Sequence, residues 1–510
     1  MLKSNATRAA AAPSCAWLSG YLERTSTSAR PCSRAGFTSD SPVGTTRCVR
    51  RRGDQVIDPE TEFRWIERNS RDVTPSDLFI AVKGEMHDGH AFVADAAAHG
   101  ASAALVRADW AAQHADMSIP LIAVPDPVEA LQQLAAARRA KLDIGVVGVT
   151  GSLGKTSTKE TIAAVLGAKY VTYRSPGNMN SEIGLPLSIL EIGPDVQTAV
   201  LEMGGAYAMG EVALLAQIAK PHVGVVTNVH PIHLERMGSI EAIAETKREL
   251  PAALDSSGFA VLNGDDPRVR AMAEYTGATV LTYGSDATNT LWYGELETFG
   301  NDGIAFTLHG LWPTRRISLP LAGAHSVELV MAALLCGHAL GLELDDMLEP
   351  LSDRSVQIRL VAVAGPNGSR LIDDTYNASA PSVLSALRVL RRTPAARRIA
   401  VLGGMRELGA ETDEQHRIVG EAAARSVDLL LTFGELAMKI AESARETAKV
   451  DGSSLSVQSF HEDQREELTA SLLSELSDGD LVLLKGSRGL EMERIVRTLV
   501  NVTEDANPIA

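Results

Sequence analysis

The sequence predicts an α/β protein of three domains, and three observations carry that expectation. The chain has 510 residues, which at roughly 100 to 200 residues per domain leaves room for about three. Apolar residues make up 45% of it and aromatics only 4%, so its cores must be built from Ala, Val, Leu and Ile. Beyond residue 53, short apolar runs alternate with Ala-rich stretches of helical period, the rhythm of repeated βα units.

Residues 1–52 stand apart from the rest. They hold nine basic residues against Glu23 and Asp40, and three of the four cysteines. A Ser- and Arg-rich, acid-poor leader has the composition of an organelle transit peptide, and a disordered tail is the plainer alternative. Charge interrupts the apolar pattern at 136–143 and again at 345–355. The expected organisation is therefore an N-terminal domain over 53–138, a central domain over 139–347 and a C-terminal domain over 348–510. Strands are expected at 144–150, 198–203, 223–229, 398–403, 429–434 and 480–484. These Val/Leu runs are of the kind that mostly parallel sheets bury on both faces.

Composition also excludes whole classes of function. The formal charge of −16 disfavours nucleic acid, whose binding depends on Lys and Arg against phosphate. No run approaches the roughly 18 apolar residues of a membrane span. Four cysteines without a C-x-x-C pair make neither a disulfide framework nor a zinc site. A soluble, monomeric, cytoplasmic protein is expected, or a plastid one if the leader is a true transit peptide.

The strongest local signal follows the run IGVVGVT. There Gly151-Ser152-Leu153-Gly154-Lys155-Thr156 leads into Ser157 and a stretch of helical period with no breaker before Gly167. A glycine-rich turn of this kind points backbone N–H groups at phosphate oxygens, and the helix behind it adds about half a positive charge. Lys155 would reach the outer phosphates and the Thr156 hydroxyl would ligate Mg²⁺. Strict spacing for this motif asks for glycine at 149, where the chain has valine. A purely structural glycine turn is the competing reading. Glu202 and His233 follow two of the strand candidates, and strand carboxyl ends face the ligand crevice in such sheets, so both are candidate metal-linked groups. His230 reads as a bystander. Lys247, in the string ETKRE, reads by default as a solvated helix lysine.

With these residues in view the chain resembles the Mur ligases, ATP-dependent amide-forming enzymes of peptidoglycan synthesis, and within them the branch that adds D-alanyl-D-alanine. The resemblance spans about residues 65 to 500. It rests on Asn69 to Phe79 with Lys83-Gly84 and His87 to His90, on the phosphate loop ending GKTSTKE, and on Gly177 to Gly184. Glu202-Met203-Gly204, Asn228 to Glu235, Asp373-Asp374-Thr375-Tyr376-Asn377-Ala378, Met405 to Gly409 and Lys485-Gly486-Ser487-Arg488 extend it. The DDTYNA string separates this branch from the sister that adds lysine or diaminopimelate, which usually has Asp-Tyr-Ala-His there.

The family resemblance implies a C-terminal domain of Rossmann-like form and a smaller N-terminal domain holding a UDP-sugar. It implies catalytic roles for Lys155, His233, Lys247 and Arg359, and metal ligation by Thr156, Glu202, His233 and, if carbamylated, Lys247. Gly151 to Ser157, Asn178, His325, Asp374 and Asn377 would meet the nucleotide. Ser70, Arg71, Lys83, Gly84, Asp88, Gly89, His90, Lys485, Ser487 and Arg488 would meet the substrates. The implied substrates are UDP-N-acetylmuramoyl-tripeptide and D-alanyl-D-alanine, with ATP and Mg²⁺. The alternatives are a sister ligase adding another amino acid and a nucleotide-binding homologue without ligation. Departures from the family pattern stand at Ser181, Ser326, Leu329 and Gly404.

Overall fold

The computed structural model describes residues 63–84, 87–206, 208–232, 234–353 and 360–506. The leader and two predicted catalytic residues, His233 and Arg359, lie outside the described residues. The chain divides into two compact units.

The first unit holds the residues up to Ile144 together with Ser175–Gln197 and Gln217–Lys220. Its sheet has four strands, β1 (Ile66–Glu67), β2 (Leu78–Ile80), β3 (Ala103–Arg107) and β4 (Leu121–Val124), in that order and all parallel. The helix Pro127–Arg139 starts on a clear local signal, because the Asp126 carboxylate accepts from the amides of Val128 and Glu129 and Pro127 sits where no amide donor is needed. The helix Gly184–Leu190 packs against it. Arg138 donates to the Ile192 carbonyl at 2.6 Å and Gln132 to the Glu182 carbonyl at 3.1 Å. The charged stretch at 136–143 thus includes the end of the helix Pro127–Arg139. Arg139 is buried, and its guanidinium satisfies the carbonyls of Ala219, Leu142 and Lys220.

The second unit holds Gly145–Arg174, Thr198–Ala216 and everything from Pro221 onward, and is built on two sheets. The larger contains β5 (Gly145–Thr150), β6 (Thr172–Arg174), β7 (Thr198–Glu202), β8 (Val223–Val226), β9 (Phe259–Asn263), β10 (Thr279–Gly284), β11 (Leu291–Thr298), β12 (Ile304–Gly310) and β13 (Arg315–Leu319). Their spatial order is β13-β12-β11-β10-β9-β8-β5-β7-β6. All pairings from β6 to β11 are parallel, whereas β12 and β13 form an antiparallel meander on β11. The helix Lys155–Gly167 packs on the helix Ser326–Ala339 and on Leu344–Leu351. That last helix, which crosses position 347, therefore packs with the nine-stranded sheet.

The smaller sheet has β14 (Val361–Ala364), β15 (Arg370–Asp373), β16 (Arg397–Gly403), β17 (Leu429–Phe433), β18 (Ser456–Phe460) and β19 (Asp480–Lys485) in the order β14-β15-β19-β16-β17-β18. Only β14 runs antiparallel. Leu, Ile and Val side chains form a separate apolar core on each of its faces. The helix Ala380–Arg392 begins with a reciprocal cap between Ser379 and Ser382 and a proline in its first turn. Among the described residues no helix is long and apolar enough to cross a membrane.

Candidate active site

In the nine-stranded sheet β5 lies between β7 and β8, and the chain leaves it toward β6 on one side and returns through β8 on the other. This is the switch point of a doubly wound sheet, where a crevice opens beyond the strand carboxyl ends. The phosphate loop, residues 151–154, sits there. Gly151 has φ +141°, and a Cβ built on it would stand 2.0 Å from the Thr227 hydroxyl, so no side chain fits. Gly154, at φ 78°, precedes a helix whose first amides no side chain caps, which leaves them to an anion.

The loop is held from the segment after β8. The Thr227 hydroxyl donates to the Leu153 carbonyl at 2.7 Å, and the Asn228 side chain accepts from the Leu153 amide at 2.8 Å. Ser152 donates its amide to the Asn228 carbonyl, and its hydroxyl accepts from the His230 amide at 2.9 Å. His230 therefore supports the loop through its backbone. Sequence reasoning gave Thr227 and Asn228 no part in holding the loop, although two polar residues directly after an apolar strand beside a glycine loop are the available signal.

Lys155 folds back over the loop, donating to the carbonyls of Gly151 at 2.9 Å and Ser152 at 3.0 Å. Burial weakens its hold on the proton, and the Glu202 and Glu211 carboxylates oppose that shift. Glu202 ends β7 in register with Val149 of β5, two residues before the loop, and is only 2% exposed. Lys247 is buried, against its default reading as a solvated lysine. Its amine donates to the carbonyls of Gly204 at 2.6 Å and Gly205 at 2.7 Å. Thr150 donates to the same Gly204 carbonyl at 3.3 Å, which ties Lys247 to the strand feeding the loop. Burial, and then the positive charge of Lys155, bring the Lys247 amine down to about 7. The cause is physical: two ammonium groups cannot both be desolvated at low cost.

The remaining predicted residues divide by location. In the smaller sheet Lys485 pairs with Asp374 at 2.6 Å and donates to the Asn377 carbonyl at 2.8 Å, with lysine and aspartate both buried. The Ser487 hydroxyl accepts from the Arg406 amide at 3.0 Å, and the Arg488 guanidinium lies 4.8 Å from the centre of the Tyr376 ring. The His325 ring meets the Ser385 hydroxyl at 3.3 Å, and burial lowers its proton affinity.

In the first unit, Ser70 donates to Asp95 at 2.5 Å. Both ring nitrogens of His90 are engaged, by Asp88 at 2.6 Å and by the Arg107 amide at 3.0 Å. Ser70 and His90 thus brace the domain from inside, while Arg71, Lys83 and Gly84 are exposed and Asp88 and Gly89 half-buried. Asn178 is exposed in Ser175–Gln197, the segment grouped with this unit. A cavity of about 390 Å³ lined by Trp312, Arg315 and Asp345 among others contains none of these residues.

Comparison with known proteins agrees with this geometry. The Mur ligase middle domain matches residues 149–337, the Mur ligase glutamate ligase domain 358–488, and the Mur ligase family catalytic domain 62–139. UDP-N-acetylmuramoyl-tripeptide--D-alanyl-D-alanine ligase of Bacillus subtilis is 35% identical over 451 residues, covering 86% of this chain and 94% of its own. The Escherichia coli protein of that name is 33% identical over 439 residues, covering 85% and 93%. Crystal structure II of MurF from Acinetobacter baumannii is 28% identical with a TM-score of 0.76, covering 87% of this chain and 94% of its own. MurF ligase from Thermotoga maritima in complex with ADP is 29% identical with a TM-score of 0.71, covering 87% and 98%. With three matched domains and relatives above 30% identity over most of its length, the chain belongs to the Mur ligase family.

Proposed function

We propose that the chain is the ATP-dependent ligase that joins D-alanyl-D-alanine to UDP-N-acetylmuramoyl-tripeptide, working as a cytoplasmic monomer. The observation that carries this reading is the conjunction of an uncapped glycine loop, Lys155, Glu202 and a buried Lys247 inside a chain whose relatives carry that activity in their names.

A carboxylate is a poor electrophile toward an amine, so it must first be activated. The terminal carboxylate of the tripeptide attacks the γ-phosphorus of ATP, the bond to the bridging oxygen breaks, and ADP leaves. The amine of D-alanyl-D-alanine then attacks the acyl phosphate, a proton leaves the nitrogen, and phosphate departs. Catalysis of this kind is positioning and charge neutralisation. The loop amides would cradle the triphosphate, and Lys155 would swing from the loop carbonyls to the outer phosphates.

For Mg²⁺ the donor set fits in kind. Among the described residues no three His, Cys, Asp or Glu side chains cluster as a metal site. Thr156 lies in the first turn of the helix behind the loop and Glu202 ends the neighbouring strand, and a hydroxyl with a carboxylate would be the sparse, oxygen-only set that Mg²⁺ takes beside phosphates. When bound there, the ion would screen the repulsion between triphosphate and attacking carboxylate.

Lys247 would act as its carbamate. A neutral amine has two N–H donors, and the carbonyls of Gly204 and Gly205 take both, leaving the lone pair for dissolved CO₂. The nitrogen bonds to carbon, one C=O π bond becomes an anionic oxygen, and one of the two N–H protons passes to water, so the carbamate nitrogen keeps a single donor for the two carbonyls. A cation is thereby turned into an anion beside the phosphate loop.

The deciding experiment measures ADP release with UDP-N-acetylmuramoyl-tripeptide, with and without D-alanyl-D-alanine. Release that requires both substrates is expected. Release with another amino acid instead would make the chain a sister ligase, and no release with any acceptor would leave a nucleotide-binding homologue.

A further inference from the structure

The helix Ile240–Ala252 grips the segment after β7 at two points. Lys247 holds its beginning, through the carbonyls of Gly204 and Gly205. Two residues further along the same helix, the Glu249 carboxylate holds its end. One oxygen accepts from the Gly210 amide at 2.6 Å and the other from the Ala213 amide at 2.9 Å. These amides open the helix Glu211–Ala219, where N–H groups lack partners within the helix and the dipole favours an anion. Between the two grips the Glu211 side chain accepts from the Ala206 amide at 2.9 Å, a further tie between the two ends. The fit over Lys247 is tight. Gly205 has φ +80°, and a Cβ there would stand 2.5 Å from Val212 and 2.9 Å from the Lys247 nitrogen.

We infer that Glu249 is a positioning residue: by anchoring the amides of Gly210 and Ala213 to the helix that carries Lys247, it keeps the Gly204 and Gly205 carbonyls seated on the Lys247 amine. A single hydrogen-bonded carbonyl pair would not hold a glycine-rich loop in register, because glycine has the most backbone freedom to lose. A carboxylate accepting two amides at once supplies a short, charge-assisted second anchor. The Glu249 charge also favours the Lys247 proton directly, so the anchor's own share is the difference between Glu249→Ala and Glu249→Gln, which lose that charge alike. The inference rests on the reading that Lys247 takes part in ligation.

The test uses the full chain as Glu249→Gln and Glu249→Ala, with Glu241→Gln, an exposed residue on the same helix, as the control. In Glu249→Ala, kcat for ADP release should fall at least tenfold while KM for ATP stays within twofold. Glu249→Gln, which keeps one acceptor, should fall between it and the parent. In parallel, mass spectrometry should show Lys247 acetylated by an amine-reactive ester at least twofold faster in Glu249→Ala than in Glu249→Gln, which loses the same charge but keeps one acceptor. A kcat within twofold of the parent in both variants, with only the melting temperature lowered, would make Glu249 a mere helix cap and overturn the inference. Should the parent itself release no ADP with any acceptor, the ligase reading fails, and the acetylation rate alone decides: equal rates in Glu249→Ala and Glu249→Gln overturn the anchor, and a faster rate in Glu249→Ala supports it.

Discussion

Lys485 and Asp374 form an ion pair at 2.6 Å whose side chains are 3% and 9% exposed, so both charges are held inside the fold. Breaking a buried pair from one side leaves an uncompensated charge and costs about 3 to 5 kcal/mol. Lys485→Met should therefore unfold at markedly lower denaturant. The double variant Lys485→Met/Asp374→Leu should recover part of the loss, because it removes both charges. Chemical denaturation of the three proteins checks this, and equal loss in the single and double variants would refute the account.

Gly151→Ala should abolish tight ATP binding, because its Cβ would stand 2.0 Å from the Thr227 hydroxyl and the loop would have to move. Thr227→Ala alone should weaken binding less, through loss of the 2.7 Å bond to the Leu153 carbonyl. Combining the two relieves the collision, so the double variant should bind more tightly than Gly151→Ala alone. Calorimetric titration with a non-hydrolysable ATP analogue measures all three. If the double variant binds no better than the single, strain at φ +141° rather than the contact with Thr227 decides the residue.

How far the sequence went follows from which signals are local. The strands leading to and flanking the phosphate loop were legible because short Val/Leu runs buried on both faces carry their own evidence. The antiparallel meander at 291–319 was not, since its strands mix Trp292, Glu295, His309 and Arg316 with apolar residues and sit at a sheet edge. At the site, the loop at Gly151 and Lys155 was readable from the glycine turn between an apolar run and a helical stretch, even with valine at 149. Lys247 was not, because nothing in ETKRE says which helix face turns inward; its burial depends on Gly204 and Gly205, more than forty positions away. The same holds for Arg139, whose charge gave no sign that its guanidinium would be buried on the distant carbonyls of Ala219 and Lys220.

Lys155→Ala should lower kcat by a factor on the order of 10² to 10³, the usual effect of losing one oriented donor to a transition state. Its partners are backbone carbonyls of the loop itself, so the melting temperature should change little. Steady-state kinetics with a parallel melting curve separates the two effects. Turnover near that of the parent would exclude the role.

Lys247 gives the fold a pH dependence whose sign can be worked out. Its amine loses the proton at about 7 in the folded chain, against an ordinary value of 10.5. Between those values the unfolded chain binds a proton that the folded chain does not, so stability rises with pH across that window and levels off on either side. Fully expressed, the shift corresponds to at most about 5 kcal/mol. Lys247→Met removes this dependence. The variant also leaves the Gly204 and Gly205 carbonyls without their donor, but that cost is the same at every pH. The expected result is that the parent gains stability relative to Lys247→Met as pH rises from 7 to 10, measured by urea denaturation at constant ionic strength. Parallel curves for the two proteins would mean that Lys247 keeps its proton in the folded state, and would remove the neutral amine on which carbamate formation depends.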